Sequence, residues 1–190
     1  MYGLRRHNSL DVYNRIEISK NALLHNAGYF RRISGLEVMP VIKSNAYGHG
    51  ITIVVEALKS GHFPLLAVDG YFEAGKIRRI TDKPILVMGM LKPGDYKKIK
   101  TKNIEFVVHD KEGIKAIGAL GKNIKVHLDI NTGMNRYGIN PAELDDYLDL
   151  ISRYPKIRLG GVMTHLADPD SNNEKHIVQA VRDFDRCVGK

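Results

Sequence analysis

Six short apolar runs, separated by longer amphipathic stretches, recur along the 190-residue chain. They are VMPVIK (38–43), PLLAVDG (64–70), PILVMG (84–89), IEFVVHD (104–110), IKVHLDI (124–130) and GGVMTHL (160–166). Each is rich in β-branched residues and mostly apolar on both parities, the pattern of a strand covered on both faces. Helical patterns fall between them. Residues 19–33 begin with Ser19 as N-cap and place Leu23, Ala27 and Phe30 on one face; residues 51–60 stop at Gly61. Residues 141–154 have Asn140 as the cap, Pro141 in the first turn and Glu143 at the capping-box position, with Leu144, Tyr147, Leu148 and Ile151 as the inward stripe. Residues 173–188 space Ile177, Val181, Phe184 and Val188 for burial. Strand–helix alternation predicts a parallel sheet with right-handed crossovers, which an open doubly wound sheet and a (β/α)8 barrel both satisfy. No GxGxxG or GxxxxGK[ST] follows the first strand, so the dinucleotide and P-loop forms lose support. Six strands are countable, against the eight strands and roughly 250 residues of a closed barrel.

Charge and composition narrow the function classes. The net charge of +8 is spread over separated sites, among them Arg5–Arg6, Arg31–Arg32, Arg78–Arg79 and Lys97, Lys98, Lys100 and Lys102. No RNA-binding aromatic motif or zinc-finger spacing accompanies them, so solvated helix faces are the better reading and no nucleic-acid partner is expected. The single cysteine, Cys187, excludes an internal disulfide and a cysteine metal cluster, which fits a reducing cytosol. No apolar run reaches the roughly 18–20 residues of a membrane span, so no membrane partner is expected. The N-terminal MYGLRRHNSLDVYNR has two arginines without an apolar segment behind them and does not read as a secretory signal.

Polar residues gather where the strands finish. Lys43, Asp69, Arg136 and His165 all lie at or just beyond a C-terminal strand end, and in a barrel those ends converge on the face that carries the active site. Lys43 is the sharpest of the four. An amine at the rim of an apolar strand is a candidate for Schiff-base chemistry with an aldehyde, although a lysine reaching out to solvent has the same signature. Tyr47 lies four residues on and could hydrogen-bond a phosphate, while Gly48 and Gly50 would let backbone approach an anion closely. His49 reads as a loop or helix-start residue.

The stretch VIKSNAYGHG resembles the pyridoxal-phosphate attachment motif of the alanine racemases, usually V-K-A-N-A-Y-G-H-G. RIEISKNALLHN is similar to that family's opening strand and helix, LAVDGYFEAGKIR to its F-A-V-A and E-A-x-x-L-R segment. PILVMG, NTGMNRYGI and GVMTHLADPD follow in the family's order, so the resemblance covers nearly the whole chain. It implies a TIM-type pyridoxal-phosphate-binding barrel, incomplete at about six of eight strand–helix units, over residues 1–190. It also implies racemisation of L- and D-alanine through an aldimine on Lys43, supplying D-alanine to peptidoglycan synthesis in the cytoplasm. Lys43 would serve as one of two proton-shuttling bases and Tyr47 would bond the cofactor phosphate. Arg136 would face the cofactor's phenolic oxygen and the substrate carboxylate, for which a forked guanidinium is suited. His165 would lie beside the pyridine ring. No metal is implied.

The resemblance also marks departures. The family's opposite base is a tyrosine from a C-terminal β-domain of the partner subunit, and no such domain is recognisable here. A homodimer or a complementing chain is therefore expected, and the 190 residues alone are expected to be weakly active or inactive. Asp129 stands where many members carry a carbamylated lysine seven residues before the arginine, and Asn131 replaces the aspartate of D-T-G-M. The competing readings are a non-catalytic pyridoxal-phosphate-binding module and a racemase or lyase for another amino acid on the same barrel.

Overall fold

The computed structural model describes residues 16–99, 102–170 and 174–189; the N-terminal stretch considered above as a signal lies outside them. Five strands form one all-parallel sheet in the order of the sequence: β1 (Leu66–Val68), β2 (Ile85–Val87), β3 (Ile104–Val108), β4 (Ile124–Asp129) and β5 (Ile157–Met163). Among the described residues seven α segments accompany it: α1 (Lys20–Ser34), α2 (Lys43–Tyr47), α3 (Ile51–Leu58), α4 (Tyr71–Arg78), α5 (Lys111–Gly118), α6 (Leu144–Ser152) and α7 (Glu174–Val188). Sequential parallel order is the layout of a barrel wall, and it aligns every strand's C-terminal end along one rim.

The first expected strand is reduced to a single bridge between Val41 and Ala67, carried by Ile42 N to Ala67 O at 2.8 Å and Ala67 N to Pro40 O at 2.9 Å. Pro40 has no N–H for a ladder, and the chain leaves the extended conformation at Ile42, whose ψ is 29°. The last expected strand, read as 160–166, instead spans Ile157–Met163. It pairs from Ile124 opposite Ile157, and a register shift between Val126 and His127 leaves Gly160 without a partner before Gly161 pairs with His127.

Helix ends follow their chemistry. The Ser19 hydroxyl accepts from Ala22 N at 3.2 Å, and Gly35 closes α1 with a left-handed φ of 67°. Asn140 caps Ala142 N at 3.0 Å as expected, but residues 141–143 form a 3-10 turn and Glu143 makes no capping box. In α7 the inward stripe differs from the one read above. Ala180 and Cys187 are buried with Ile177 and Phe184 partly so, whereas Val181 and Val188 are exposed. The face carrying Ala180 and Cys187 is turned inward, and the helix packs on the 3-10 turn Pro141–Glu143.

Strand alternation divides the core in two. Ile85, Val87, Ile104, Phe106, Val108, Val126 and Leu128 face the helices and join Ile77, Ile114, Ile117 and Leu144 in the larger cluster. Ala67, Leu86 and Val107 point the other way and pack with Met39, Leu65, Met88 and Met163. This second face is the barrel interior, and it carries the polar residues discussed below.

Tyr96, in the 3-10 turn Pro93–Lys98, is the most sharply shifted titratable group. It is 2% exposed and packs edge-on to Phe106 with ring centroids 6.0 Å apart. Burial, and then the charge of Asp110, push its phenol up to about 12. The unfolded phenol ionises near 10, so the contribution of the neutral folded form is fully present below that value and is lost as pH rises from 10 to 12. Denaturant unfolding across that window is expected to lose about 2–3 kcal/mol more in the wild type than in Tyr96→Phe. Parallel alkaline profiles for the two proteins would contradict the assignment.

Candidate active site

Lys43 sits where the 38–42 segment ends, and the backbone just after it runs against the chirality of L-residues. Ser44, Asn45, Ala46 and Tyr47 all have φ between 53° and 56°. Left-handed backbone costs roughly 1–2 kcal/mol per residue, so four in a row require a structural reason. The turn is closed by Ala46 N to Ile42 O at 3.0 Å and Gly48 N to Ser44 O at 3.1 Å. Ala46 is buried, and the Asn45 side chain accepts from Ile51 N at 3.0 Å, capping α3 from six residues back. Gly48 and Gly50 have φ of 89° and 92°, and their amides donate within the segment, Gly50 N reaching Asn45 O at 2.9 Å. The two glycines thus serve backbone handedness, with their own amides engaged inside the segment. His49 precedes α3, its Nδ1 2.9 Å from Ala46 O.

Glu73 supports this turn from the next unit. It is 4% exposed, and its carboxylate accepts from Asp69 N and Gly70 N at 3.2 Å each and from Asn45 N at 3.3 Å. Three backbone donors satisfy a buried carboxylate that would otherwise be costly to desolvate. Sequence reasoning missed this residue; the spacing Gly70-x-x-Glu73 before α4 is the signal that could have found it.

Arg136 belongs to a loop that leaves β4 and returns to it. Asn131 N bonds Ile139 O at 2.9 Å, and Ile139 N bonds Asp129 O at 2.8 Å. Asn131 Oδ1 accepts from Gly133 N and Asn135 N, as an aspartate would, while its Nδ2 donates to Asn135 Oδ1 at 2.9 Å. The departure at 131 therefore matches the asparagine at 135. Thr164 donates to Ile130 O and pairs with Thr132 Oγ1, each at 2.7 Å, which ties this loop to the end of β5 just before His165. Arg136 and His165 line one small cavity with Asp129, Met134 and Tyr137. Tyr47 lines a separate groove of about 580 Å³ between α1 and α3, with His49 and Val41.

Asp129 does not take up Arg136. Its carboxylate pairs with His109 Nδ1 at 2.9 Å, and His109 Nε2 lies 2.9 Å from Met88 O. The His109 ring also stacks at a tilt on Tyr137, centroids 5.3 Å apart, and the Arg136 guanidinium lies 5.8 Å from the same Tyr137 ring. Sequence reasoning placed His109 only as a strand residue, although period two sets it on the interior face with Val107 and Glu105. Lower on that face Glu105 binds Lys125 at 2.8 Å and His127 at 2.6 Å.

Against this background of paired groups, the polar ends of Lys43, Tyr47, Asp69, Arg136 and His165 make no hydrogen bond or ion pair to another described residue. All five lie past C-terminal strand ends or the turn that follows one. No group of three potential metal ligands occurs among the described residues. No described helix is long and apolar enough to cross a membrane.

The Arg136 loop makes a direct prediction about backbone. A Cβ on Gly138, at φ 100°, would stand 3.0 Å from both Asn131 N and Asp129 O, whereas one on Gly133, at φ 128°, would meet nothing within 4 Å. Gly133→Ala is expected to cost only conformational strain. Gly138→Ala should lower stability by at least about 1 kcal/mol more, as read from denaturant midpoints.

Comparison with known proteins accords with this geometry. The model of the family described as "Alanine racemase, N-terminal domain" matches residues 18–190. The alanine racemase of Vesicomyosocius okutanii is 36% identical over 160 residues, covering 83% of this chain and 45% of that protein. The crystal structure of alanine racemase from Oenococcus oeni superposes with a TM-score of 0.83 at 26% identity, over 90% of this chain and 52% of that one. Histidine racemase from Leuconostoc mesenteroides has the same fold, with a TM-score of 0.81 at 24% identity over 90% and 48%. The chain spans about half the length of these relatives. A barrel wall in sequential parallel order, with a family match over 18–190, makes the chain a member of the alanine racemase N-terminal domain family.

Proposed function

We propose that the chain holds pyridoxal phosphate at the C-terminal rim of its sheet and moves the α-proton of alanine between its L and D forms. The observation that carries this reading is the row of polar ends left without a described protein partner, with Lys43 foremost. The donor set fits the cofactor: an amine for its aldehyde, a phenol for its phosphate, a guanidinium for its phenolic oxygen and an imidazole beside its ring. Family membership and a curated relative named alanine racemase add support. When bound, pyridoxal phosphate spreads the charge left on Cα after proton loss.

Lys43 Nζ then takes and returns the proton on one face of Cα. Arg136 orients the substrate by its carboxylate, and its fixed charge suits both partners assigned to it. Tyr47 fixes the phosphate end. Asp129, held by His109, leaves the Arg136 guanidinium for this task. A base on the opposite face of Cα is expected from a partner subunit or a complementing chain. The D-alanine formed would enter peptidoglycan synthesis in the cytoplasm.

The test is direct. The chain is incubated with pyridoxal phosphate, reduced with borohydride and mapped, and deuterium exchange at Cα is followed for alanine and, separately, histidine. The label is expected on Lys43 and absent from Lys43→Ala, with exchange falling by a factor of about 10² or more. With one base present, exchange should outrun inversion. Label without exchange would favour a cofactor-binding module, exchange on histidine alone would favour another amino-acid substrate, and no label on Lys43 would overturn the reading.

A further inference from the structure

We infer that Glu73 is a positioning residue for Lys43, acting through the left-handed turn that follows the lysine. Three observations converge on it. First, residues 44–47 hold a backbone that L-residues avoid, with Ala46 at φ 54° carrying a Cβ and no side-chain acceptor of its own. Such a turn persists only where its surroundings over-determine it. Second, Glu73 is buried and bonds Asn45 N, the second residue of the left-handed run, across 28 positions of sequence. Third, the same carboxylate fixes the amides of Asp69 and Gly70, where β1 passes into α4. One side chain thus joins the rim of β1 to the turn behind Lys43.

The chain of contacts continues past Asn45. Its backbone N–H is held by Glu73, its side-chain oxygen caps α3 at Ile51 and its carbonyl receives Gly50 N. Asn45 is therefore fixed at three points, and Lys43 is two residues away. An ordinary capping glutamate would need only the contact to Gly70 N. The reach to Asn45 lies outside that role, and it separates a positioning function from a helix cap.

The consequence concerns the amine. A turn free to relax toward right-handed or extended backbone would carry Lys43 Nζ away from a fixed place on the rim, and reaction with a positioned aldehyde depends on that placement. Glu73→Gln keeps the shape but loses the charge. Its amide nitrogen also turns a donor toward one of the three N–H groups, so one contact becomes repulsive.

The experiment has two readouts, of which only the second rests on the proposed cofactor chemistry. In the cofactor-free chain, amide hydrogen exchange is measured for residues 44–51 in wild type, Glu73→Gln and Glu73→Asp. The aspartate keeps the charge but is one methylene short of spanning both sides. Asp110→Ala is the control, removing a helix cap that bonds only Gly113 N. Both Glu73 variants are expected to raise exchange at 44–51 by about tenfold, the effect of losing one charged hydrogen bond, while Asp110→Ala leaves that segment unchanged. In the second readout, the rate of borohydride-fixed labelling of Lys43 by pyridoxal phosphate should fall by a similar factor in both Glu73 variants and not in the control. Unchanged exchange at 44–51 in both Glu73 variants overturns the inference whatever the cofactor does. Raised exchange with wild-type labelling of Lys43 overturns it as well, leaving Glu73 a structural cap. Failure of wild type to label at Lys43 sinks the functional reading instead, and the exchange data then decide whether Glu73 holds the turn.

Discussion

The chain must reverse its handedness immediately after Lys43, and much of the site depends on that reversal. At roughly 1–2 kcal/mol per residue, four left-handed residues carry a cost comparable with the whole stability of a small domain. The offset is local and visible. Ile51, Val54, Val55 and Leu58 of α3 are buried directly behind the turn, Ala46 is buried within it, and Asn45 supplies the cap that starts the helix. Burial of several aliphatic side chains at about 1.5–3 kcal/mol each is large enough to hold the strained segment. A lysine is thereby placed at the end of an apolar segment with its amine unengaged by other described residues.

The opposite wall reaches the same rim by other means. The Arg136 loop is regular in its bonding, with Asn131 organising the turn and the bridge between Ile130 and Ile139 returning the chain to the sheet. The pairing of Thr164 with Thr132 brings His165 to the same cavity as Arg136. Asp129 is the point of tension. A buried carboxylate beside an arginine would ordinarily pair with it, and here His109 occupies the carboxylate first. The result is a guanidinium resting near the Tyr137 ring with its donors open.

Much of the fold was legible because its determinants are local. Apolar runs on both parities and intervening helical periodicity give a parallel sheet without further information, and Ser19 and Asn140 cap where their side chains dictate. What escaped depends on contacts distant in sequence. The Val41 segment is a local exception, its length limited by Pro40 and by the turn after Lys43. In α7, Val181 and Val188 outrank Ala180 and Cys187 on hydrophobicity, yet the helix turns the smaller pair inward where it packs on the 3-10 turn Pro141–Glu143. The four strand-end residues were readable from their positions. Glu73 and His109 were legible only in part: spacing marks one as a capping glutamate and period two sets the other on the interior face, but their partners lie 28 and 20 positions away.

The handedness of residues 44–47 is open to a solution measurement that needs no ligand. One-bond Cα–Hα couplings in the isotopically labelled chain separate positive from negative φ residue by residue. Ser44, Asn45, Ala46 and Tyr47 are each expected to give the positive-φ value, with Lys43 and Ile42 on the negative side. Couplings of right-handed helix or extended backbone at those four positions would contradict the account of how the lysine is held.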